Sequence, residues 1–61
     1  MENEYIIKTV NKKKYRYVSR RQSLQYVYRE IHKNDYVIVK ENGYFKKVLL
    51  DTRHIVSIEK Q

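Results

Sequence analysis

Apolar positions recur with a period of two at both ends of this chain and with a helical period between them. The first run, Tyr5 to Val10 (YIIKTV), is short and rich in β-branched residues, which predicts a strand. Asn11 and Lys12 offer a turn, because Asn tolerates positive φ, and Lys14 to Val18 supplies the returning strand. With that two-residue turn, Ile6, Val10, Tyr15 and Tyr17 share one face, and Tyr5, Ile7, Arg16 and Val18 share the other. The first set is the better core face, and it leaves Lys14 and Arg16 pointing outward.

At Ser19 the period changes. Ser19 and Gln22 have the spacing of a capping box, with the Ser hydroxyl accepting from the Gln22 N–H and Gln22 reaching back. Leu24, Val27, Tyr28 and Ile31 then fall at i, i+3, i+4 and i+7, one apolar helical stripe. The spacing predicts a helix from Arg20 to Lys33, with Lys33 favourable in the last turn and Asn34 in a left-handed cap.

The segment Asp35 to Leu50 places Asn42-Gly43 between two β-rich runs, a strong hairpin signal because a type I′ turn needs positive φ twice. That two-residue loop sets Glu41 against Tyr44, Val39 against Lys46 and Val37 against Val48. On the other face it sets Ile38 against Lys47 and Tyr36 against Leu49. Asp51-Thr52-Arg53 breaks the run, and His54 to Glu59 reads as a last strand. The expected fold is α+β: a small antiparallel sheet with one helix on a face, in the order ββαβββ, as a single domain over residues 1–61.

One helix covers one face of such a sheet. Tyr36, Val37, Ile38, Val39, Val48, Leu49 and Leu50 therefore leave apolar surface on whichever face stays open. Contiguous surface of that kind usually has a partner, and a homodimer through sheet faces or edges is expected. Size sharpens this expectation. A chain of 61 residues buries only about 60% of its unfolded surface, and with no Cys it has neither disulfides nor thiolate metal sites to help. Seven Tyr, one Phe and no Pro argue against disorder. No apolar run reaches a membrane span and the acidic start does not read as a signal peptide, so a soluble cytoplasmic protein is expected.

The net charge of +7 is one-sided. From Tyr5 to Arg29 there are eight Lys or Arg and no acid; from Glu30 to Gln61 there are six against five acids. Asymmetry of this kind points to an anionic partner: nucleic acid, an acidic protein face or a membrane surface. Solubility alone is the plainer explanation of a positive charge. The candidate binding surface is Lys12, Lys13, Lys14, Arg16, Arg20, Arg21, Tyr26, Arg29 and Lys33. Tyr26 lies almost opposite the apolar stripe, beside Arg29, and Tyr–Arg pairs are common interface hot spots. Tyr15 and Tyr17 could stack on bases or fill the core.

Catalytic chemistry is poorly supplied. His32 and His54 lack Cys partners and i, i+4 spacing, and a metal would need Asp35 or Asp51 to complete its shell. Ser19, Ser23 and Ser57 have no nucleophile-elbow context, and one Gly cannot build a phosphate-cradling loop. No enzyme activity, cofactor, metal or small-molecule substrate is expected.

Two resemblances bear on function. Ser23-Leu24, Tyr36 and Ile55-x-x-Ile58, within Tyr15–Lys40 and His54–Lys60, resemble the strand, helix, aromatic-led strand and closing strand of LytTR DNA-binding domains, though without that family's His-Arg pair after the aromatic. That resemblance covers part of the chain and implies DNA binding. In size and in its Lys- and Tyr-rich, Cys-free and Pro-free composition, the whole chain resembles small host-takeover and anti-defence inhibitors of phages and mobile elements. That likeness implies a compact homodimer that binds and inhibits a host protein in the host cytoplasm. The first expectation is therefore an inhibitor with a basic, Tyr-bearing surface; the alternative is a DNA- or RNA-binding regulator using residues 12–21.

Overall fold

A computed structural model of the chain describes residues 2–41 and 46–61. Five strands and one helix follow the expected order: β1 (Asn3–Thr9), β2 (Lys14–Ser19), α1 (Leu24–His32), β3 (Tyr36–Glu41), β4 (Lys47–Asp51), a 3-10 turn (Thr52–His54) and β5 (Ile55–Lys60). The fold is α+β, with an antiparallel sheet in the spatial order β4-β3-β2-β1-β5.

The two edge strands, β4 and β5, are joined by the three residues of the 3-10 turn. From Asp51 to Ile55 the chain can reach at most about 14 Å at about 3.5 Å per residue. A flat five-stranded sheet would hold its edge strands about 19 Å apart. The sheet must therefore curl. The turn is pinned on both sides of the gap: Thr52 N–H donates to the Asp35 carbonyl at 2.9 Å, and Val10 N–H donates to the His54 carbonyl at 2.9 Å. The Thr52 hydroxyl, itself buried, donates to the carbonyls of Asn34 and Asp35.

The concave face holds the core. Tyr5 and Ile7 of β1, Tyr15 of β2, Val39 of β3 and Leu50 of β4 are buried there against Val27 and Ile31 of the helix. Tyr17, Val37, Val48, Ile55 and Ile58 pack around them. Burying an aliphatic side chain is worth about 1.5 to 3 kcal/mol, so this cluster is the main source of stability.

Several expectations are corrected. In the first hairpin, Tyr5 pairs with Tyr17 and Ile7 with Tyr15, so Tyr5 and Ile7 are core and Ile6 faces outward with Arg16. Val10 is 62% exposed. The cause is the loop. Thr9 N–H donates to Lys13 O and Lys12 N–H to Thr9 O, leaving a three-residue loop, with Lys12 at φ 64° in the left-handed region. One extra loop residue exchanges the faces of a strand.

In the second hairpin, Val37 pairs with Leu50 and Val39 with Val48, a register two residues from the one expected. Glu41 N–H donates to the Lys46 carbonyl, and the expected Asn42-Gly43 turn lies outside the described residues. A shift of two leaves every side chain on its expected face.

The helix begins at Leu24 rather than Arg20. Ser23, not Ser19, is its N-cap, accepting from the Gln25 N–H at 3.3 Å. The Ser19 hydroxyl instead accepts from the Arg21 N–H and donates to Glu30. Lys33 caps the helix in a right-handed conformation, so Asn34 does not provide a left-handed cap. The last strand begins one residue later than expected, because His54 belongs to the 3-10 turn.

Candidate functional site

The nine candidate binding residues fall in three places. Lys12 and Lys13 sit at the tip of the first hairpin. Lys14 and Arg16 lie on the convex face of the sheet, since they alternate with the inward Tyr15 and Tyr17. Arg21, Tyr26, Arg29 and Lys33 come together on the outer side of the helix around a shallow hollow of about 280 Å³. Arg20, exposed, adjoins Arg21 in the segment leading to the helix.

The helix-side cluster owes its electrostatics to Glu30, which is the one acid in α1 and is not among the nine. Its carboxylate is turned toward the sheet. It accepts from the Tyr17 hydroxyl and, at 3.1 Å, from the Ser19 hydroxyl, and it lies 3.6 Å from Arg21 Nε. Burial raises the Tyr17 phenol well above its ordinary pKa, and the hydrogen bond and negative charge of Glu30 raise it further. Tyr17 therefore stays a neutral donor that holds Glu30 in place, and neither it nor the buried Tyr15 is available to stack on a base. Glu30 also lines the hollow, where Tyr26 stands 57% exposed among Arg21, Arg29 and Lys33. The signal for Glu30 in the sequence is its position: it is the first acid after Glu4 in a basic run.

The convex face carries two adjoining rows, one apolar and one cationic. Ile38, 62% exposed, pairs with Leu49, 67% exposed, and Val18 and Tyr36 are exposed on the same face. In the next row Arg16, Lys40 and Lys47 stand directly opposite one another across β2, β3 and β4. Lys14 stands opposite Lys8 across β2 and β1. Arg16 is paired with Glu4, and Lys8 with Glu59 at 3.1 Å. Opposed like charges in a sheet are unfavourable, so Lys40 and Lys47 are placed where an anion would relieve them.

Of the seven residues expected at a dimer interface, Tyr36, Ile38 and Leu49 are exposed on the convex face. Val39 and Leu50 are buried under the helix and belong to the core, and the half-buried Val37 and Val48 pack beside them. The curl and the pairing registers decide which set is outside.

The histidines lie apart from these surfaces. His32 stacks on Tyr28, with ring centroids 4.1 Å apart, and its Nδ1 lies 3.0 Å from the Tyr28 carbonyl. His54 sits in the 3-10 turn near Asp51. The Asp51 carboxylate caps that turn, accepting from the Arg53 N–H at 2.9 Å and from the Arg53 guanidinium at 2.7 Å. Those bonds lower its pKa to about 2. Among the described residues no three His, Asp or Glu side chains gather as a metal site, and no helix is long and apolar enough to cross a membrane. No protein-family model matches the chain, and comparisons with curated proteins and with solved structures found no similar protein.

Proposed function

We propose that this is a non-enzymatic binding protein that inhibits an acidic protein partner through the helix-side cluster Arg21, Tyr26, Arg29 and Lys33. The observation that carries this reading is the hollow in which the exposed Tyr26 stands among Arg21, Arg29 and Lys33, with Glu30, the one acid on its rim, bound to Tyr17, Ser19 and Arg21. Tyr and Arg are the residue types that dominate interface energetics, because they bring large area and directional bonds with little loss of freedom. A second copy meets the convex face through Tyr36, Ile38 and Leu49, which leaves both helix-side clusters of the dimer pointing outward. The resemblance in size and composition to mobile-element inhibitors supports a host protein as the target.

Affinity capture from a nuclease-treated bacterial lysate tests the reading. A single stoichiometric prey that is retained after nuclease, and lost with Tyr26→Ala, is the expected result. Prey that disappears with nuclease would refute it.

The opposed cations Lys40 and Lys47 favour a second reading, a nucleic acid bound along the convex face with Lys14 and the hairpin tip. Its signature is an affinity that falls steeply with salt as phosphate contacts release counterions. Binding of a short single-stranded DNA, measured from about 50 to about 200 mM salt, separates the two readings.

A further inference from the structure

We infer that the groove between α1 and β5 is a docking site for an extended peptide segment of a partner protein, apolar at alternate positions and acidic at its ends. The groove encloses about 710 Å³. Leu24, Tyr28 and His32 form its helical wall, and Ile55, Val56 and Ile58 its strand wall. Tyr28 is 56% exposed and Val56 65% exposed. These apolar side chains therefore spend little of their surface on the fold.

The floor of the groove is a sheet edge. β5 pairs with β1 on one side, and among the described residues no strand pairs with it on the other. A bulge at Val56 interrupts its register with β1, so regular pairing is confined to Ser57–Lys60. Both ends of the strand are fixed, through Val10 to the His54 carbonyl and through the Gln61 N–H to the Glu4 carbonyl. A fixed edge loses little freedom when an added strand pairs with it. Backbone pairing along such an edge supplies affinity, while pockets for alternate side chains supply selectivity.

Charge chooses the occupant. Arg29 and His32 line the groove and no acid does. At the other end, Lys60 Nζ reaches the Gln22 carbonyl at 3.2 Å, just ahead of the helix, so both ends of the groove are cationic. Glu59, the acid of β5, is held by Lys8 on the convex face. An acidic segment is complementary to these ends. A second copy in the groove would set the same basic rim against itself, and is disfavoured at this surface. The groove shares Arg29 with the Tyr26 cluster but is otherwise lined by different residues, and its test reads Tyr28 and Val56, which lie outside that cluster.

The test uses the isotope-labelled full chain and a nine-residue peptide with Val, Ile and Val at alternate positions and two acids at each end. Saturable amide shifts along Ser57–Lys60 and at Leu24 and Tyr28 are expected. Affinity should fall at least about tenfold in Tyr28→Ala and in Val56→Ser, both exposed enough to leave the fold intact. No shift up to about 1 mM peptide would overturn the proposal. So would equal binding of a peptide whose end acids are replaced by Lys. The same shifts on concentrating the protein alone, with doubling of its mass, would assign the groove to a second copy and overturn the peptide.

Discussion

The two faces of the sheet use the same kinds of residue for opposite ends. On the concave face Ile7, Val39 and Leu50 are sealed under Val27 and Ile31. On the convex face Val18, Ile38 and Leu49 are left in solvent beside Arg16, Lys40 and Lys47. The concave set makes the fold, and the convex set adds little to it. Apolar side chains that a small, marginal domain leaves outside are best accounted for by what they meet.

The largest way to break this contrast is on the concave side. Ile7→Ala should cost about 2 to 5 kcal/mol, since it empties a fully buried site, and chemical denaturation measures it. A loss under about 1 kcal/mol would mean that the core is not where it is placed here. Next comes the network that links sheet to helix. Glu30→Gln removes the charge accepting from Tyr17 and Ser19, and should cost about 1 to 2 kcal/mol in the same assay.

Smaller effects sharpen the comparison. Ile38→Ser with Leu49→Ser should change monomer stability by no more than about 0.5 kcal/mol each, while abolishing the proposed dimer in sedimentation. The smallest effect is at Asp51. Its carboxylate is held below its unfolded pKa, so its contribution is complete above about pH 4 and is lost as pH falls through about 2. Melting temperatures between those pH values should drop less in Asp51→Asn than in the native chain.

How much of this was legible in the sequence turns on loop length. The element order followed from periodicity, because strand and helix periods differ clearly on either side of Ser19. Which residues share a face was legible in the second hairpin and not in the first, while the choice of inner face in the second stayed open. Both loops are read as two residues long. In the second hairpin Glu41 meets Lys46 and the register moves by two, so Val37, Val39 and Val48 still share one face. In the first, Lys12 adopts φ 64° without being Gly, the loop takes three residues, and Tyr5 and Ile7 exchange faces with Ile6. Positive φ in Lys carries no compositional signal.

The helix start was misplaced for a related reason. Ser19 and Ser23 both fit a cap, and tertiary hydrogen bonds to Glu30 and Arg21 occupy Ser19. Tyr26 was recognisable on the helix from its angle to the stripe. Glu30 and Lys40 were not, since their importance depends on what the sheet brings beside them.

The most direct test of the account compares two variants in one capture experiment from nuclease-treated lysate. One replaces Tyr26 by Ala and Lys33 by Glu; the other carries Ile38→Ser with Leu49→Ser. The account predicts that the first loses the protein prey and keeps the dimer, while the second keeps the prey and loses the dimer. Prey retained by the first variant and lost by the second would place the partner on the convex face and contradict it.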